Sequence, residues 1–178
     1  MTEQIQSQDK PKRHPLFLSD ENILNDPYKN GKKPSREPTE SELQELVECT
    51  EYHFHLLDPT PGFITERVSP HIASSIENGA GVLIEYGGEK YREIGKKLLN
   101  KLAWKYETAV DPMFITVMNP QTREYFDYCE KAVPVYLEAG NVERARKLLD
   151  FIKKYTRPSR LTEDLVKSAE REKPNKAE

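Results

Sequence analysis

Apolar residues recur at spacings of three and four in separate stretches of this chain, each fenced by proline, glycine or an N-capping residue. That pattern restricts the fold to packed amphipathic helices. The clearest stretch spans residues 89–107, where Tyr91, Ile94, Leu98, Leu102 and Tyr106 make one stripe, with Gly95 and Leu99 beside it and Trp104 off it. An earlier helix is predicted from Thr39 to about Leu57: Thr39 and Glu42 have the spacing of a capping box, and Leu43, Leu46, Val47, Phe54 and Leu57 supply the buried side. The run Asp58-Pro59-Thr60-Pro61-Gly62 ends it.

Asn119-Pro120 starts another helix, carrying Tyr125, Phe126, Cys129, Val133 and Tyr136 and ending at Gly140. Pro134 should kink it or leave one backbone acceptor unpaired. Asn141 caps the next, with Val142, Ala145, Leu148, Leu149, Ile152 and Tyr155 inward, and Pro158 lies beyond its end. A weaker helix is expected from Thr162 to about Ala169.

The middle is less determinate. Ser69-Pro70 and Asn78-Gly79 bracket what reads as a short helix, and Val82–Tyr86 fits a buried strand or another short helix, since periodicity does not separate the two over so few residues. Met113–Met118 is an apolar run of either kind.

Residues 1–38 contain Pro11, Pro15, Pro27, Pro34 and Pro38 among polar residues, too little apolar surface to offset the entropy of ordering. The exception is Leu16-Phe17-Leu18, which can dock on the body or on a partner. The expected fold is therefore mainly α: a single bundle of about five helices over 39–158, with room for a minor strand in the middle. A disordered tail (1–38) precedes it, and a weak helix with a solvated tail (159–178) follows.

At 178 residues there is room for one domain, and the net charge of -3 gives no global field to draw the chain onto nucleic acid or an anionic membrane. Cys49 and Cys129 lie 80 residues apart in no metal-like spacing, which fits a reducing compartment and a cytoplasmic protein. The N-terminus lacks the apolar stretch of a signal peptide, no run is long enough to span a membrane, and no membrane partner is expected.

The helix pair from Asn119 to Tyr155 resembles a tetratricopeptide repeat, a helical hairpin that stacks into superhelices. Tyr136 and Gly140 close the first helix as in that family, Ala145 falls at its close-contact position and Leu149 at its large apolar one. Cys129, Val133, Pro134 and the late Pro158 depart from its pattern, no second copy stands 34 residues upstream, and residues 119–158 are about a fifth of the chain. The resemblance implies a concave face carrying Asp127, Glu130 and Glu138, suited to a basic peptide of another protein.

No catalytic constellation stands out. Cys49 and His53 share a helix face, but two ligands do not make a zinc site, and a cysteine nucleophile also needs an orienting group and an oxyanion donor. Gly79-Ala80-Gly81 and Gly87-Gly88 lack the phosphate-loop ending. Glu66, Glu77, Glu85 and Asp111 neighbour apolar segments that shift carboxyl pKa values, yet no spacing pairs two of them.

No cofactor, metal or catalytic residue is therefore assigned, and the expected role is a non-enzymatic interaction module or assembly subunit. It would bind through Asp127, Glu130 and Glu138 in a helical groove, or through Leu16, Phe17 and Leu18. Charge segregation supplies the alternative. Residues 89–105 and 143–157 each carry six Lys and Arg against two acids, while 37–51 carry six acids and no cation. Lys97, Lys101, Lys105, Arg146, Lys153 and Arg157 would hold nucleic acid if both basic faces join, unless the acidic helix lies across them. An enzyme of unknown class, using Cys49 and His53, is the third reading.

Overall fold

The computed structural model describes residues 37–57, 68–109 and 120–172. Leu16, Phe17, Leu18 and the run 113–118 lie outside them, as do Glu66 and Asp111. Six helices are described: α1 (Glu40–Leu57), α2 (Pro70–Tyr86), α3 (Gly88–Glu107), α4 (Pro120–Glu138), α5 (Val142–Tyr155) and α6 (Arg160–Glu172). No strand occurs among the described residues.

Local chemistry sets most of the helix ends. The Thr39 amide donates to Glu42 Oε2 at 2.7 Å and the Glu42 amide to Thr39 Oγ1 at 3.3 Å, a reciprocal capping box. Gly140 takes φ +77°, its amide bonds the Leu137 carbonyl and the Asn141 amide the Tyr136 carbonyl, so the last carbonyls of α4 are satisfied by a left-handed turn. The Asn141 side chain then accepts the Arg144 amide at 3.2 Å and starts α5. Helix α4 continues through Pro134, whose missing N–H leaves the Glu130 carbonyl without its usual helical donor.

Three sequence expectations are corrected. Helix α2 does not stop at Asn78-Gly79 but runs on to Tyr86, and Val82–Tyr86 is its last part rather than a strand. The reason is tertiary: Ala73, Ile76, Ala80 and Leu83 keep the helical spacing and are all buried. Tyr155 does not point inward; it is 65% exposed, with its ring stacked on Phe126 at a centroid distance of 5.7 Å. The C-terminal helix is longer than expected and packs on both α4 and α5.

Helices adjacent in sequence pack on one another throughout, and α6 packs on α4 as well as α5. Side-chain pairings set the direction. Glu40 meets Lys90 at 3.4 Å and Phe54 lies under the Lys101 ammonium at 4.4 Å, so α1 runs parallel to α3. Asn141 bonds Asn100 at 2.9 Å and Arg144 pairs with Glu107, so α5 also runs parallel to α3. Thus α1, α3 and α5 form one layer, and α2, α4 and α6 the other. Phe54, Ile76, Leu83, Leu99, Leu102, Cys129, Val133 and Ile152 fill the space between the layers.

Candidate partner-binding face

Helix α4 is enclosed by α3, α5 and α6 but keeps one open side. Tyr125, Phe126, Tyr128, Cys129, Ala132, Val133, Val135 and Tyr136 are buried, while Arg123, Asp127, Lys131, Pro134 and Glu138 are exposed and Glu130 is half-buried. At 3.6 residues per turn these six share one face. The three carboxylates expected from the sequence, Asp127, Glu130 and Glu138, do stand on it together.

They are not equivalent. Glu130 Oε1 accepts the Ser159 amide at 2.8 Å and the Thr162 hydroxyl at 2.9 Å, so it fastens the first turn of α6 to α4. Burial raises its pKa, but the hydrogen bonds from Ser159 and Thr162 outweigh burial and the net shift is downward. Asp127, Glu130, Lys131, Pro134 and Thr162 line a cleft of about 410 Å³ between the two helices.

One flank of α6 carries exposed leucines. Glu163 and Glu170 turn toward α5, meeting Lys153 at 3.4 Å and Arg146 at 3.5 Å. Leu161 and Leu165, two residues either side of Glu163, stand nearly opposite it on the wheel, at 71% and 40% exposure. They therefore face away from α5. Sequence reasoning missed both, because two leucines among charged residues do not announce which flank a neighbour will cover.

At the other end, Glu138 reaches over α2: its Oε1 lies 3.9 Å from where a Cβ on Gly81 would stand. Although much of the Glu138 side chain is exposed, its carboxyl is crowded, and burial raises its pKa. Burial, and then the charge of Glu138, push Glu77 up to about 7. Among the described residues no hydrogen bond or ion pair reaches either carboxyl. The Lys131 ammonium lies 5.3 Å from the centre of the Tyr128 ring.

The basic rows do not converge. Lys97, Lys101 and Lys105 occupy the α1 flank of α3, where Lys101 covers Phe54. Arg146 and Lys153 occupy the α6 flank of α5, paired with Glu170 and Glu163, and Arg157 lies exposed beyond the end of α5. Between them run Glu107, Arg144, Asn100 and Asn141. Helix α1 runs along the basic flank of α3, where Glu40 meets Lys90 and Phe54 lies under Lys101, but it does not reach the basic flank of α5, and Glu48 and Glu51 are exposed.

Cys49 is buried in α1. Burial lowers the pKa of His53, against a hydrogen bond with the Cys49 backbone. Burial pushes the Cys129 thiol up to about 11, against a hydrogen bond from Tyr125. A thiol so shifted carries negligible thiolate at neutral pH. No group of three or more His, Cys, Asp or Glu suited to a metal ion occurs among the described residues, and no helix there is long and apolar enough to cross a membrane. Comparison of the chain with protein-family models, with curated proteins and with solved structures returns no match in any of the three.

Proposed function

We propose that this chain is a non-enzymatic interaction module that presents the open side of α4, bordered by α2 and α6, to a segment of another protein. One observation carries the reading. The α4–α6 cleft is lined by Asp127, Glu130 and Pro134, Leu161 and Leu165 are exposed on α6, and no hydrogen bond or ion pair among the described residues reaches Glu138 or Glu77 on the α2 side of α4. Apolar anchors beside unneutralised carboxylates are what a basic, apolar peptide requires. The likeness of residues 119–158 to a tetratricopeptide hairpin supports the same face, as does the alternation of parallel helices in two layers. The divergence of the basic rows favours this reading over nucleic-acid binding.

The test is a photo-crosslinking residue placed at Lys131 or at Lys97 in the full chain, expressed in its native cells. Position 131 should give a discrete protein adduct that Leu165→Asp removes, and position 97 should not. Equal adducts from both positions, or none from 131, would end the proposal.

A further inference from the structure

We propose that the cleft between the end of α3 and the flanks of α4 and α5 binds a small aromatic monocarboxylate, at a site separate from the open side of α4. Helical spacing builds one wall. Arg144, Lys147, Leu148 and Phe151 stand three, four and seven residues along from Arg144, so they share a face of α5. Tyr125 from α4 and Glu107 from α3 complete a cleft of about 220 Å³.

Volume sets the size of the ligand. An apolar cavity of about 150 Å³ accommodates benzene, and sites for drug-sized ligands begin near about 300 Å³. The space therefore suits a single ring with a short acidic arm and is too small for a nucleotide. The walls set its shape. Tyr125 and Leu148 are buried, and the Tyr125 and Phe151 rings meet at 86° with centroids 6.3 Å apart. In such a corner a third ring stacks on one neighbour and meets the other edge-on. The Tyr125 hydroxyl donates to the Cys129 thiol, which leaves the ring as the surface offered to a ligand.

Charge sets the sign. Two cations and one acid line the cleft, Arg144 and Lys147 against Glu107, a surplus of one positive charge. Glu107 accepts from the Tyr136 hydroxyl at 2.9 Å, from Arg144 Nε at 3.2 Å and from Arg144 Nη2. Its charge is countered by those donors, so it fixes the guanidinium and repels an entering anion little. Lys147 is held less firmly. It pairs with Glu143 one turn earlier in α5, and at 66% and 74% exposure that pair is weak, so the ammonium can turn to a carboxylate. A monoanion matches the surplus, whereas a dianionic phosphate exceeds it.

The test is a titration of the full, isotope-labelled chain with phenylpropanoate, followed by amide chemical shifts. Saturable shifts should cluster at Glu107, Tyr125 and residues 144–151. Lys147→Ala, at an exposed position, should weaken binding about tenfold. Glu143→Ala removes the competing acid and should strengthen binding about twofold. Phenylpropylamine and the ring-free butanoate should give no saturable shift at the cleft. Acetyl-phenylalanine separates the sources of this chemistry: tighter binding than phenylpropanoate assigns the C-terminal residue of a peptide, weaker binding a free acid.

No saturable shift at the cleft, equal binding of the amine, or an affinity unchanged by Lys147→Ala would each overturn the site. Any of these would leave the α4 face as it stands, because adducts from position 131 do not depend on Lys147.

Discussion

Two glycines in the α2–α3 hairpin should respond oppositely to the same substitution. An alanine Cβ at Gly81, inside α2, would have Glu138 Oε1 at 3.9 Å as its nearest neighbour, ordinary contact. Gly81→Ala should therefore keep the full benefit of replacing a mid-helix glycine, about 0.5–1 kcal/mol of added stability.

At Gly95, inside α3, the same atom would stand 2.7 Å from the Ala80 carbonyl oxygen and 2.8 Å from Ile84 Cγ1. The first of these is main chain and has no rotamer to escape into, so α3 must move off α2 and loosen the packing of Leu83 and Leu99. Overpacking of this kind costs about 1–3 kcal/mol. Set against a propensity gain of about 1 kcal/mol, Gly95→Ala should be net destabilising by up to about 2 kcal/mol. Urea titration followed by far-ultraviolet circular dichroism measures both, with an unchanged denaturant slope as the check that only stability moved. Equal stabilisation by the two substitutions would refute the close α2–α3 contact.

Stability should fall as pH rises through the range from about 4.5 to about 7, because the Glu77 carboxyl holds its proton more tightly when folded than when unfolded. Linkage bounds the effect at about 3 kcal/mol; Glu77→Gln should flatten that part of the profile and raise stability at pH 8, and a profile unchanged by the substitution would count against a desolvated Glu77. Glu130→Ala should cost about 1–3 kcal/mol and speed hydrogen exchange across residues 160–172 more than across α3, because it strips the fastening of α6. Cys129, buried with its thiol at about 11, should react with an alkylating reagent only on unfolding; rapid labelling of the native protein would contradict the packing of α4.

The features legible in the sequence are those whose causes are local. The Thr39–Glu42 box, the Gly140 turn and the Asn141 cap each work within three to five residues, and each lies where the sequence places it. Helix α2 runs through Asn78-Gly79 because a glycine has two uses that look alike in one dimension. It ends a helix at a left-handed turn, and it also lets a neighbouring helix approach. The contact of Gly95 with the Ala80 carbonyl shows the second at work.

The cap of α6 was illegible for a different reason: its acceptor, Glu130, stands 29 residues before Ser159. The bridge of Arg144 and Tyr136 to Glu107 joins residues 37 and 29 apart. No periodicity carries such pairings. The shared face of Asp127, Glu130 and Glu138 was visible because helical spacing alone fixes it, whereas the different work each does depends on α2 and α6.

The layer order also decides which charges can act together. Helices α1, α3 and α5 lie side by side, with α3 joined to α5 by the Glu107–Arg144 and Asn100–Asn141 pairs. The lysines of α3 occupy the flank nearest α1, and Arg146 and Lys153 of α5 the flank nearest α6, with the neutralised pair of Glu107 and Arg144 between them. Two rows on far flanks of adjacent helices stand more than a Debye length apart, about 8 Å at physiological salt, so their fields do not add. The second row is also countered in place by Glu163 and Glu170, and Glu40 sits beside Lys90 at the edge of the first. Counting cations along the chain overstates the positive surface, because each basic flank is the one against which the fold packs another helix. The carboxyls at the far end of α4 escape this cancellation, because α2 brings a second acid, Glu77, rather than a cation to Glu138.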